Sequence, residues 1–177
     1  MNTSIFILIN SWAGRWGWLD SVMIFFAEYL MYLMILIVLV YAVWNYRQYR
    51  AMAIVSIGFA LIARFIVASG IRYFYYHARP YLIIAETNLL LAQKTESSFP
   101  SGHTIFVFAL ATGVYQYNKK LGMWFYGLAC LVGFSRIFVG VHWPYDIVAG
   151  AVLGVLVAVI CDWMYKNYIK KYIENRA

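Results

Sequence analysis

Apolar residues gather in five long runs, approximately 22–44, 51–69, 104–117, 121–138 and 147–164. A helix needs roughly 20 apolar residues to cross a bilayer core. Each run is therefore predicted to be a membrane-crossing helix, with the third, the shortest, extended at one end. A sixth apolar stretch, 5–9, is too short to cross and is followed by Trp12, Trp16 and Trp18. Tryptophans favour the membrane–water boundary, so this stretch reads as an interfacial or re-entrant segment. No basic residue precedes it, which argues against a cleavable signal peptide. The expected fold is an all-α integral membrane bundle of five helices, or six if the N-terminal segment also crosses.

Composition agrees. The 177 residues are 64% hydrophobic and 12% charged, against about 25% charged in soluble domains, and the mean hydropathy is +0.71. No linker, low-complexity tract or repeat divides the chain, so residues 1–177 are expected to form one membrane-embedded domain. Cys130 and Cys161 fall in apolar runs at different depths and are expected to be two buried, unpaired thiols.

Five crossings put alternate connections on opposite sides. One side holds Arg47, Arg50, Lys119, Lys120, Lys166, Lys170, Lys171 and Arg176; the other holds Arg15, Arg72, Arg79, Lys94 and Arg136. Cytoplasmic connections are the ones enriched in Lys and Arg, so the first side and the C-terminus are predicted to be cytoplasmic and the N-terminus external. The long polar interruptions, 70–103 and 139–146, then share the outer face.

Those interruptions carry three polar clusters: RYFYYHARP at 72–80, PSGH at 100–103 and SRIFVGVHWPYD at 135–146. Charge at membrane depth is costly and usually functional. Arg72, Arg79 and Arg136 offer planar forks of donors that match phosphate oxygens, although any one of them can also snorkel to lipid headgroups. Gly102 permits close approach of an anion to the backbone, Ser101 adds a hydroxyl, and the helix expected from about His103 points its positive end there. An ordinary N-cap turn would use the same serine and glycine. His142 and Asp146 are four apart, and a helix starting at Pro144 would let them meet. A carboxylate on one ring nitrogen fixes the tautomer and frees the other as a nucleophile or base.

The order and spacing resemble the type 2 phosphatidic acid phosphatase superfamily of membrane lipid phosphatases. In this chain they read Arg72, six residues, Arg79-Pro80; Pro100-Ser101-Gly102-His103; and Ser135-Arg136, five residues, His142, three residues, Asp146. The family's usual lysine is Arg72 here. A narrower resemblance, to bacitracin-resistance-type undecaprenyl-diphosphatases, rests on INSWAGRWGWLDSVMIFFAEYLMYL, SSFPSGH and GFSRIFVGVHWPYDIVAG; many of those proteins have Asp in place of Gly102. The resemblance implies hydrolysis of a lipid phosphate or diphosphate, with undecaprenyl diphosphate first and phosphatidylglycerophosphate, phosphatidate or lipid A phosphate as alternatives. It implies that His142 attacks phosphorus and becomes a phosphohistidine, Asp146 orients it, and His103 serves the leaving group and then water. Arg72, Arg79, Arg136, Ser101 and the Gly102 amide would hold the phosphoryl oxygens, with Ser135 as further support. No metal, cofactor or nucleic-acid partner is implied, and the place is a bacterial inner membrane with the site facing outward. Asp20, Glu86 and Glu96 form no evident ligand cluster. A non-enzymatic lipid-phosphate binding or transport protein stays open; it would use the arginines but not a His–Asp pair.

Three further features lie outside the motifs. Glu28 and Arg64 are charges within the first two runs, and each needs a partner. They are predicted to lie at one depth and to face the bundle interior, in contact directly or through a polar neighbour, either supporting the phosphate site from beneath or forming a purely structural ion pair. The segment 81–98 is too polar to cross; it is expected either to lie in the outer interface beside a lipid entrance or to be an ordered connection.

Overall fold

The computed structural model describes residues 2–92 and 97–170, with the side chains of Ile169 and Lys170 excepted. Lys94, Glu96, Lys171 and Arg176, used in the charge and ligand arguments above, lie outside the described residues. All regular structure among the described residues is helical: α1 (Asn2–Asn10), α2 (Gly17–Glu28), α3 (Leu30–Trp44), α4 (Tyr46–Leu61), a π-helical stretch Ile62–Ala68, α5 (Ser69–Phe74), α6 (Pro80–Ile83), α7 (Gly102–Tyr117), α8 (Lys119–Phe138), and α9 (Pro144–Met164) running into a π-helical end, Tyr165–Lys170.

The sequence chemistry of the corners is simple. Asn45 and Asn118 are one-residue breaks between consecutive helices. The side-chain oxygen of Asn45 accepts from the Gln48 N–H at 3.3 Å and that of Asn118 from the Leu121 N–H at 3.0 Å, each satisfying an orphan donor at the start of the next helix. Pro80 and Pro144 open α6 and α9, where a missing N–H costs nothing.

Helix α7 is the centre, packed against α9, α8 and α4. Every residue from Gly102 to Val114 except His103 and Phe108 is buried, which is why this run is apolar on all faces. Small residues bring the neighbours in. A Cβ on Gly154 would lie 2.5 Å from the Ile105 carbonyl oxygen, and one on Gly113 2.6 Å from the Ser56 Cα, so glycine sets the helix spacing at both crossings.

Among the described residues three helical stretches are long and apolar enough to cross a membrane: Tyr46–Phe74, Lys119–Phe138 and Pro144–Tyr168. The pair Gly17–Glu28 and Leu30–Trp44 qualifies as a fourth if taken together, although bent by 53°. Thus the first predicted span is two helices that meet at Tyr29, not one. The bend frees the Ala27 carbonyl from its helical partner, and Arg136 Nη1 donates to it at 3.2 Å. At 16 residues, about 24 Å, α7 is shorter than a bilayer core is thick.

The N-terminal segment is the nine-residue helix α1, about 13 Å long and too short to cross alone. It packs on the α8–α9 corner. Phe6 sits against Trp143 with ring centroids 5.3 Å apart, and the Asn10 amide donates to the Phe138 carbonyl at 2.8 Å and to the Asn88 carbonyl at 2.9 Å. The described part of 81–98 is an ordered connection over the same corner: the Leu90 N–H donates to the Val139 carbonyl at 3.2 Å, and Leu90 and Leu91 pack against Ala27, Phe138 and Val141. Both cysteines are free thiols, but neither is buried; Cys130 is exposed on the outside of α8 and Cys161 is half-buried.

Candidate active site

The three polar clusters meet at one end of the bundle. His142 sits in the tight corner between α8 and α9, 1% exposed. Its Nδ1 is 3.4 Å from Oδ2 of Asp146, one turn along in the first turn of α9. The same Asp146 oxygen accepts the Trp143 backbone N–H at 2.9 Å and the Ser98 hydroxyl. The carboxylate is thus locked to its own helix start and holds the ring by Nδ1, the nitrogen opposite Nε2. Burial pushes the His142 pKa from its ordinary value down to about 3; Asp146 opposes this, and the charges of Arg136 and Arg79 add to it. The ring is therefore held neutral, the form a nucleophile or base requires.

Four guanidinium groups surround this corner, and each is anchored on a backbone carbonyl. Arg79, 4% exposed, donates to Val141 at 3.0 Å. Arg136, 1% exposed, donates to Ala27. Arg72 donates to Pro100 at 2.7 Å and Arg64 to Gly102 at 3.0 Å. Arg72 and Arg64 so clasp the turn that opens α7. A Cβ at Gly102 would stand 3.1 Å from Arg72 Nη2 and 3.6 Å from Arg64 Nη1. The absence of a side chain there keeps the backbone close to both cations.

Ser101 does what an N-cap does and retains a donor. Its oxygen accepts the Thr104 N–H at 3.5 Å and the Thr104 hydroxyl at 2.9 Å, so its own hydroxyl proton is not used in either bond. The Ser101 N–H donates to the Asp146 carbonyl at 3.2 Å, which ties the PSGH turn to the His–Asp helix. His103, in the first turn of α7, lies within electrostatic reach of Arg136, Arg64, His142 and Arg72.

Two expected supports take different places. The Ser135 hydroxyl donates to the Val132 carbonyl at 2.7 Å, within its own helix. Among the described residues no ion pair joins Glu28 to Arg64. Arg64 reaches over to the Gly102 carbonyl instead, and the charge of Glu28 acts on Arg136. Both are half-buried. The reason is the bend at Tyr29, which turns Glu28 toward α8, and the π-helical stretch that carries Arg64, which shifts the helix register beneath the site.

Two residues at the site carry no place in the sequence argument: Ser98 and His77. Nδ1 of His77 stands 3.5 Å from Oδ1 of Asp146. A polar ring two residues before Arg79 was the only signal for it; Ser98 showed none beyond its closeness to PSGH.

The family model described as the PAP2 superfamily matches residues 53–170. The bacitracin transport permease protein BcrC of Bacillus licheniformis is 34% identical over 163 residues, covering 92% of this chain and 80% of that protein. The undecaprenyl-diphosphatase BcrC of Bacillus subtilis is 30% identical over 175 residues, covering 98% and 89%. Among solved structures, Aquifex aeolicus LpxE superposes with a TM-score of 0.75 at 27% identity, covering 90% of this chain and 93% of that one.

Proposed function

This chain belongs to the PAP2 superfamily and is a membrane phosphatase, and from that premise we propose that it hydrolyses a polyprenyl diphosphate, undecaprenyl diphosphate first, to the monophosphate and phosphate at the outer face of a bacterial cell membrane, through a phosphohistidine. The observation that carries the reading is a buried pair, a neutral His142 held by the Asp146 carboxylate, set among four guanidinium groups. The diphosphatase names of the relatives favour the diphosphate, and the loop-charge bias favours the outer face.

In the proposed reaction Nε2 of His142 attacks the terminal phosphorus in line. A P–N bond forms as the bond to the bridging oxygen breaks, and His103 gives that oxygen its proton. Asp146 keeps Nδ1 protonated and steadies the positive ring. His103 then takes a proton from water, whose oxygen attacks phosphorus; the P–N bond breaks and phosphate leaves. Arg72, Arg79, Arg136, the Ser101 hydroxyl and the Gly102 N–H hold the equatorial oxygens throughout. Fixed cations and a helix N-terminus supply the charge stabilisation on which phosphoryl transfer depends.

Trapping decides the mechanism. Purified protein given a ³²P-labelled polyprenyl diphosphate and quenched in alkali should hold acid-labile label on His142. His142→Ala should lose that label and all turnover, a drop of about 10⁴-fold or more. His103→Ala should still take up label from a substrate with a good leaving group but release it slowly. Label retained in His142→Ala would overturn the assignment. Phosphate release into the external medium from sealed right-side-out vesicles is expected; release into the lumen alone would reverse the proposed side.

A further inference from the structure

Asp146 is completely buried, and its two oxygens are in unequal positions. Oδ2 is crowded, with the Ser98 hydroxyl, the Trp143 N–H and His142 Nδ1 around it. Oδ1 accepts no hydrogen bond, and Nδ1 of His77 likewise has no hydrogen-bond partner. These two unsatisfied buried atoms face each other at 3.5 Å. A buried carboxylate oxygen with no donor is costly, as is a buried ring nitrogen with no partner. One proton between them resolves both.

The surroundings of His77 hold the ring for that purpose. Its backbone N–H donates to the Ser97 hydroxyl oxygen at 3.1 Å and its carbonyl accepts the Ser98 N–H at 2.8 Å. The ring stacks on Tyr75 at 6.2 Å with planes 10° apart, and Trp143 closes the other side at 6.3 Å. Trp143 is in turn fixed by its indole N–H to the Ala78 carbonyl at 2.9 Å. The same short stretch, 97–98, thus steadies His77 through its backbone and Asp146 through the Ser98 hydroxyl. One side of the His77 ring stays partly open, with the side chain 33% exposed.

We propose that His77 is a positioning residue for the phosphatase reaction: its Nδ1–H grips the second oxygen of Asp146, so that the carboxylate is held between two histidines and can meet His142 Nδ1 in only one orientation. The proposal rests on the reading of His142 as nucleophile and Asp146 as its orienting group. With Oδ1 tethered, the carboxylate cannot rotate to offer His142 its other oxygen, and the His142 tautomer with Nε2 unprotonated is favoured. The 3.5 Å separation is longer than a formed hydrogen bond. Contacts of this kind tighten when the reacting group is bound, and a phosphoryl group drawn between the arginines closes the site around it.

The test uses the full chain in detergent micelles with farnesyl diphosphate as probe, and four variants. His77→Phe keeps the stacking and removes the donor; kcat should fall about 10- to 100-fold, the range typical of residues that orient a reacting group from outside it, with KM within twofold. His77→Asn places an amide N–H where Nδ1 was and should recover most of kcat. His77→Gln, whose amide reaches beyond to the Nε2 position, should not. His142→Ala should be inactive. Wild-type kcat in His77→Phe, equal kcat in the Asn and Gln variants, or a loss confined to KM would overturn the proposal while leaving the nucleophile in place. Activity in His142→Ala would instead overturn the reading on which it rests. If His77→Phe fails to fold, the Asn–Gln contrast decides.

Discussion

The two ends of the bundle treat buried charge in opposite ways. At the end far from the candidate site Asp162, near the end of α9, pairs with Lys166 in the π-helical stretch that follows, at 2.7 Å. The pair is local and joins opposite charges, so its field largely cancels. At the candidate-site end Arg64, Arg72, Arg79 and Arg136 are each anchored by a backbone carbonyl. A carbonyl dipole fixes a guanidinium without cancelling its charge. The first arrangement stabilises a helix end. The second holds positive charge at fixed positions, which is what a phosphate dianion and its transition state require.

Removing charge from the two ends should expose that difference. Arg136→Ala should lower kcat/KM by about 10²–10³, as loss of one charge-stabilising donor typically does, measured by phosphate release from a lipid diphosphate. A loss below tenfold would mean that Arg136 is structural like the Asp162–Lys166 pair. The neutral, buried His142 makes the candidate-site end sensitive to acid as well. Its folded pKa, about 3, lies below the ordinary 6.5, so between those values the unfolded chain binds more protons. Stability should therefore fall as the pH drops below about 6.5, by up to about 3 kcal/mol at pH 4, and be indifferent to this group above it. Chemical unfolding in detergent across that range checks this; His142→Phe should flatten the dependence, and an unchanged slope would assign it elsewhere.

Arg64 lies between the two behaviours, since it touches the PSGH turn from beneath. Arg64→Gln should cost about tenfold in kcat/KM, the worth of one charge-assisted hydrogen bond, with the phosphohistidine still formed. No effect on activity, with lowered stability, would move Arg64 to the structural class. The smallest effect belongs to the end far from the candidate site. Asp162→Asn should leave kcat within twofold and change stability by less than about 1 kcal/mol, because Lys166 is more than half exposed and screened by solvent. A large loss of activity there would mean that the two ends are coupled.

Much of the site was legible because its chemistry is written in short spacings. His142 and Asp146 are four apart after a helix-starting proline, and Pro100 to His103 is one turn. Such groups meet through local geometry alone. His77 and Asp146 are 69 residues apart in number, and no spacing rule connects them. Glu28 and Arg64 show the converse: their partners were set by a bend and a π-helical register shift that neither segment announces with a proline or glycine.

The sequence by itself determined that the chain is a helical membrane protein, where its apolar helices run, and which clusters share a face. Hydrophobic length and side-chain chemistry are properties of contiguous residues, and the membrane acts on them directly. Only the tertiary structure decided that the first span breaks at Tyr29, that α1 lies against the α8–α9 corner, and which carbonyl holds each arginine. Those choices depend on Arg136 reaching Ala27 across 109 positions, Asn10 reaching Phe138 across 128, and Arg64 reaching Gly102 across 38. Each is a single buried or half-buried polar group finding the acceptor that packing leaves available, and packing is a property of the whole chain.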